Sequence, residues 1–503
     1  MRIARKRLEK FVMNYQSTRN RLETASSTQA VLQGLASDGG LFIRRDLCDL
    51  GFDWRGVIEK DVYGMAEQIL GALLPEFDDM NGLVKKAYTG KFIAPDLTPL
   101  VRVGDNYILE LFRGPTSAFK DVALSMLPQL ITAARAQERQ KEEIVILTAT
   151  SGDTGKAALE GFHDVDGTRI IVFYPNDGVS AVQKAQMVTQ EGKNVCVCAV
   201  NGNFDDAQTG VKNAFSACAD GTLLAGKNAV LSSANSINIG RLAPQVVYYF
   251  KAYADLVKCG RIACGDEIDF VVPTGNFGDI LAGYFAKLLG LPVGTLVCAS
   301  NANDVLTEFI RTGFYDRRRT FYRTLSPSMD ILVSSNLERL LFLLAGCDDA
   351  QIADYMEKLK TDGCYRITDE MLKKLQSDFR AGCTDDEGTK AAIGKVWKEH
   401  GYLCDTHTAV AWAVAEQYRK ESGTDHAVVV LSTASPYKFP VAVLEAIGEN
   451  YDGDEFGAME RLSAVTGVPV PKNLSGLREK PVRHTDVIEK DDILDYVLKK
   501  ISE

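Results

Sequence analysis

The chain has 503 residues, 46% hydrophobic and 25% charged, an ordinary globular balance with length for roughly two to four domains. Its net charge of −10 is spread along the chain with no basic stripe, which argues against a nucleic-acid partner. No apolar run approaches the roughly 18 residues of a membrane span, and eleven cysteines without a C-x-x-C pair, beside five scattered histidines, read as reduced thiols of a soluble cytoplasmic protein rather than a disulfide framework or metal site.

The opening MRIARKRLEKFV is basic but carries Glu9 and lacks an apolar core, so it is not a secretory signal; organelle targeting stays open as the lesser reading. Residues 1–94 hold helical stretches and the turn SDGG at 37–40 without sustained alternation, and are predicted to form an N-terminal domain ending at the Pro95–Pro99 punctuation. From about residue 140 apolar runs alternate with amphipathic ones. IVILTAT (144–150), RIIVFYP (169–175), VCVCAV (195–200), DFVVPT (269–274), TLVCAS (295–300) and AVVVLST (427–433) read as buried parallel strands. GKAALEGF, SAVQKAQMVTQE, the segment from Phe204 to Phe215 and APQVVYYFKAYADLV read as the helices between them. The prediction is an α/β protein with doubly wound sheets, a core over 95–440, a helical insertion at about 302–400 and a helix-and-loop appendage at 441–503. LLFLLAG at 340–346 is a short buried segment, and ligands belong at the carboxyl ends of the strands.

Three strand-to-loop transitions can carry chemistry. Gly275, Asn276, Phe277, Gly278 and Asp279, between a strand and the run DILAGYFAKLLG, form either an anion cradle at a helix N-terminus or a tight turn. Ser151 and Thr154, in TSGDTG at 150–155, bind a carboxylate, or Asp153 or Thr154 merely caps the following helix. Thr433, in LSTASP at 431–436, either faces a ring nitrogen or begins a turn. Lys120 follows a small-and-aromatic run and precedes VALSML; desolvation there lowers an amine's pKa and frees it for Schiff-base chemistry, although most lysines are surface charges.

Taken in order, YQSTR (15–19), GLASDGGL (34–41), GPTSAFKD (114–121), ATSGDTG (149–155), SANSINIGRLAPQ (233–245), PTGNFGD (273–279), DTHTAVA (405–411) and STASPYKFP (432–440) resemble the threonine synthase family, pyridoxal-phosphate enzymes of fold type II, the tryptophan-synthase-β class. That resemblance implies two α/β subdomains with an added N-terminal domain, and pyridoxal 5'-phosphate as cofactor. It implies Lys120 as the cofactor's Schiff-base lysine, residues 275–279 as its phosphate loop and Thr433 as the neutral hydroxyl at the pyridine nitrogen. Ser151 and Thr154 would receive the substrate carboxylate, and Asn238 and Arg241 the substrate phosphate. The implied reaction is O-phospho-L-homoserine and water to L-threonine and phosphate; a phospho-lyase releasing a keto acid and ammonia, or a non-catalytic binding protein on the same scaffold, are the alternatives.

Four departures from the family pattern, Asn20, Arg113, Lys156 and Thr406, leave the lysine and the phosphate loop untouched, and Arg113 or Lys156 is a second candidate for the phosphate. Asp405 or Thr406 is expected to cap a helix. The family pattern starts at about Met13, so residues 1–12 are expected to be a dispensable extension. Oligomeric state is not legible.

Overall fold

Continuous β-branched runs are what strands buried on both faces require, and in the computed structural model all six predicted runs are parallel strands. The structure describes residues 15–177, 179–218 and 221–503, without the side chain of Asp205; the expected extension at 1–12, with its targeting reading, lies outside the described residues. No described helix is long and apolar enough to cross a membrane.

Two sheets carry the core. A five-stranded parallel sheet has the order Asp486–Glu489, Val195–Asn201, Thr168–Pro175, Glu143–Ala149, Ala229–Ser233. A six-stranded sheet has the order Phe379–Cys383, Val293–Ser300, Ile268–Pro273, Ala427–Ser432, Asn106–Glu110, Leu100–Val103, parallel except for the last pair. Helices cover the faces, and the loops of interest leave the carboxyl ends of strands from both sheets, facing one another across a cleft.

Two expectations about organisation change. The segment 441–503 is not a mere appendage: Asp486–Glu489 pairs with Val195–Asn201 as an edge strand, and the helix Ile493–Ser502 packs on Phe204–Cys218. The insertion at 302–400 likewise lends Phe379–Cys383 to the edge of the six-stranded sheet. Both strands are short and interrupted by charge (DVIE and FRAGC), so they lack the continuous β-branched run that marks a central strand. The N-terminal region forms a three-stranded antiparallel sheet of Thr24–Ala25, Tyr15–Ser17 and Phe42–Arg44 with helices beside it, and shares one continuous apolar core with the body.

The helix Lys120–Gln137 is the spine of the site. Pro128 inside it has no N–H to offer the carbonyl of Leu124. The following helix, Asp153–Phe162, brings Gly161 against that same carbonyl, so close that an added Cβ would lie 2.1 Å from the Leu124 oxygen and 3.3 Å from Pro128 Cγ. Proline and glycine together let two helices touch backbone to backbone, with a Cα–H facing the freed oxygen. Gly161→Ala must push the helices apart, and is expected to cost about 1–3 kcal/mol; a urea unfolding midpoint equal to that of the parent would show that the contact tolerates a methyl group.

Candidate active site

The Lys120 loop is folded around a neighbouring carboxylate. Asp121 accepts from the Thr116 amide at 2.8 Å and the Thr116 hydroxyl at 2.5 Å, closing GPTSAFKD into a turn. Ser117 in that turn has φ +60°, and Asn473 braces it by donating to the Pro115 carbonyl at 2.8 Å and contacting the Ser117 hydroxyl. A β-bridge joins Ala118 to Ala434, with the Phe119 amide donating to the Thr433 carbonyl at 2.8 Å and the Ser435 amide to the Ser117 carbonyl at 3.1 Å. Lys120 and Thr433 are thereby fixed relative to each other by backbone.

Lys120 is the first residue of its helix, where the dipole disfavours a cation. Its side chain is buried, and among the described residues its amine makes no hydrogen bond or ion pair; it rests 4.4 Å from the centre of the Phe119 ring. Burial pushes its pKa down to about 8; Asp153 opposes this, Arg241 and Lys438 reinforce it, and Asp279 opposes it weakly.

The 275–279 loop shows why glycine is needed at its start. A Cβ on Gly275 would lie 2.5 Å from the Ser328 carbonyl oxygen. Phe277 takes the left-handed conformation, φ +61°, and caps the helix Gly278–Leu288, whose first amides have no intrahelical acceptor. The loop is held from outside by Ser334, donating to the Gly275 carbonyl at 2.8 Å, and by Asn336, donating to the Asn276 carbonyl from both amide and side chain at 3.1 Å. His407 holds the Ser328 amide on Nε2 at 3.1 Å while its Nδ1 meets Asp405 at 2.9 Å, and Asp405 is the cap of the helix Thr406–Ser422, as expected. Asp279 commits one carboxylate oxygen to two phenols, accepting from Tyr248 at 2.6 Å and Tyr249 at 2.9 Å, and the other oxygen is buried without a partner among the described residues. Burial lifts its pKa to about 6 against those hydrogen bonds.

In the third loop Thr150 Oγ1 accepts from the Gly152 and Gly155 amides at 3.0 and 2.9 Å, shaping the turn that presents Ser151 and Thr154. Asp153, between them, is not the cap but the first residue of its helix. It forms a buried ion pair with Lys438 at 2.7 Å and accepts from Gln183 at 2.8 Å. Burial opposes its ionisation, but Lys438 and Lys120 outweigh that and hold its pKa low.

Lys120, Ser151, Thr154, Arg241, Gly275, Asn276, Phe277, Gly278, Asp279 and Thr433 all line one cavity of about 1090 Å³. Asn238 does not. Its side chain caps the short helix Ile239–Leu242 through the Gly240 amide and donates to the carbonyls of Val31 and Ser233, which consumes it structurally. Asn235, three residues earlier, lines the cavity instead. Arg113 and Lys156 are also outside: Arg113 pairs with Glu110 at 2.7 Å, and Lys156 with Glu160 at 2.9 Å. Arg241 donates to the Ala234 carbonyl at 2.8 Å and has no carboxylate partner among the described residues; burial pushes its pKa down to about 10. Reading the sequence overlooked Asn235, Lys438 and Asn473. An asparagine directly before a helix signals a cap, which was enough to set Asn238 aside; nothing local marks Asn473.

Unpaired amine, glycine-built anion cradle and unpaired guanidinium, brought to one cavity, suit a phosphorylated carbonyl cofactor beside an anionic substrate. Comparison with known proteins agrees. Residues 14–88 match the model "Threonine synthase N terminus", 94–365 "Pyridoxal-phosphate dependent enzyme" and 408–497 "Threonine synthase, C-terminal". The chain is 38% identical over 434 residues to threonine synthase-like 1 of Homo sapiens, covering 84% of this chain but only 58% of that protein's length. It is 39% identical to the threonine synthase of Pseudomonas aeruginosa, covering 86% of this chain and 90% of the relative. The crystal structure of pyridoxal-phosphate-bound threonine synthase from Brucella melitensis superposes with a TM-score of 0.83 at 37% identity, covering 97% and 98% of the two chains. The chain belongs to the threonine synthase family of pyridoxal-phosphate-dependent enzymes.

Proposed function

We propose that this protein is a threonine synthase of amino-acid biosynthesis, converting O-phospho-L-homoserine and water to L-threonine and phosphate with pyridoxal 5'-phosphate held at Lys120. The observation that carries the reading is a buried amine without a counterion in the same cavity as a glycine-built anion cradle and an unpaired buried arginine. The residues fit the cofactor: its phosphate would take the amides of 275–279, its ring nitrogen the neutral hydroxyl of Thr433, and its carbonyl carbon the Lys120 amine. When bound, the cofactor supplies the electron sink for charge developed at the substrate's carbon atoms.

The chain's own residues do the rest. Ser151 and Thr154 orient the substrate carboxylate, and Arg241 with Asn235 takes the substrate phosphate, Asn235 replacing the expected Asn238. An amine with a pKa near 8 carries and returns protons efficiently at neutral pH, the role we give Lys120. Thr433, fixed to the Lys120 loop by backbone, keeps the neutral partner of the ring in register with that amine. We place the enzyme in the cytoplasm, with a small-molecule substrate and without a nucleic-acid or membrane partner; eleven free cysteines suit a reducing compartment.

Incubation with O-phospho-L-homoserine is expected to yield L-threonine and phosphate in equal amounts. A keto acid with ammonia in its place would make the protein a phospho-lyase, and no product from a cofactor-loaded protein would leave only a binding role. Borohydride treatment followed by peptide mapping is expected to fix the cofactor to Lys120; an adduct on any other lysine removes Lys120 from its role.

The two anion pockets separate by mutation. Ser151→Ala with Thr154→Ala is expected to spare cofactor binding but weaken phosphohomoserine, since each hydrogen bond lost to a charged group costs about 1.5–3 kcal/mol, roughly tenfold or more per contact. Arg241→Ala is expected to weaken phosphohomoserine far more than homoserine. Titrations that follow the cofactor's absorbance measure both, and equal losses for the two ligands in Arg241→Ala would take Arg241 out of the phosphate pocket.

A further inference from the structure

Two carboxylates, on Asp153 and Asp279, and two cations, on Arg241 and Lys438, act electrostatically on the Lys120 amine, and Asp153, Asp279 and Arg241 line its cavity. Either carboxylate, brought into contact, would pair with the amine and hold its proton. Neither does. Asp279 gives its oxygen to Tyr248 and Tyr249, and Asp153 gives its oxygen to Lys438 at 2.7 Å and Gln183 at 2.8 Å. Asp153 lines the same cavity as Lys120, yet no ion pair joins them. Lys438 is fully buried and does not line the cavity, so it meets neither cofactor nor substrate. Its pair also crosses the cleft: Asp153 follows the strand Glu143–Ala149 of one sheet and Lys438 the strand Ala427–Ser432 of the other. A buried ion pair is weak grounds for stability, because desolvation of both charges offsets their attraction. Some other use must keep it here.

We propose that Lys438 is a positioning residue: by holding the Asp153 carboxylate across the cleft, it keeps Lys120 without a counterion. The inference rests on the reading of Lys120 as the reactive amine. With Lys438 neutral, Asp153 is left as a buried anion on which the Lys120 amine is the strongest remaining cationic influence, and a pair formed there stabilises the protonated amine. Removing both charges removes the cause.

The test reads the amine itself. Full-length protein freed of cofactor is labelled with trace acetic anhydride across a pH series, and acetylation at Lys120 is followed by peptide mass. In Lys438→Met, and in Lys438→Gln, which keeps a hydrogen bond to Asp153 without the charge, the labelling midpoint is expected to rise by about one pH unit or more. Lys438→Arg, and the double variant Asp153→Asn with Lys438→Met, are expected to return it to the parent value. In the loaded enzyme the acid limb of the kcat profile should rise in the same two variants. An unchanged midpoint in either folded Lys438 variant overturns the proposal, as does a rise that persists in the double variant, because the shift would then not come from Asp153. Labelling does not depend on which product the enzyme makes, so failure of the threonine synthase reading and failure of this one give different results.

Discussion

A lysine amine works near neutral pH only if burial disfavours its proton while no carboxylate is allowed to restore it. That double requirement governs this cleft. Burial alone is easy, since Lys120 starts a helix in the core between two sheets. Keeping it unpaired is harder, because acidic side chains are also needed nearby to fold the loops. Each is occupied elsewhere: Asp121 by Thr116, Asp279 by two tyrosines, Asp153 by Lys438 and Gln183. Each of these carboxylates thus commits at least one oxygen to a partner other than the amine, and no ion pair to Lys120 forms among the described residues.

Much of this was legible in the sequence. Continuous β-branched runs identified six central strands, because a strand buried on both faces has no polar side to blur its pattern. Glycines at strand ends identified the loops, because close approach to Ser328 and a helix start after Phe277 demand particular backbone. What escaped is what depends on partners far along the chain. The strand Asp486–Glu489 becomes a strand only beside Val195–Asn201, and Asn473 matters only because it reaches Pro115 and Ser117. Asn238 illustrates a different failure. A motif gives identity and spacing, but the helix start at Ile239 decides which asparagine is spent on backbone and which meets the cavity.

The N-terminal sheet has a similar dependence on distant residues. On the helix Leu337–Leu344, Glu338 accepts from Thr18 at 2.5 Å and from two nitrogens of Arg19 at 2.8 Å, while its neighbour Arg339 donates to the Phe42 carbonyl at 3.0 Å. Adjacent residues of opposite charge thus grip the segment leaving the strand Tyr15–Ser17 and its paired strand Phe42–Arg44, where Arg19, Asp38 and Leu41 line the cavity. The N-terminal region is part of the site's enclosure, which explains why its core is continuous with the body.

This grip also bears on which arginine can serve an anion. Arg19 lines the cavity but its charge is answered by Glu338, and Arg317, half-buried at the rim, donates to the Lys360 carbonyl. Arg241 is buried more deeply, with a carbonyl as partner and no carboxylate. A guanidinium so placed carries a desolvation cost that only an arriving anion can offset, and its depressed pKa expresses the same imbalance. Lys120 and Arg241 thus share one arrangement: each is a buried cation lining the cavity without a carboxylate partner among the described residues, and burial lowers the pKa of both.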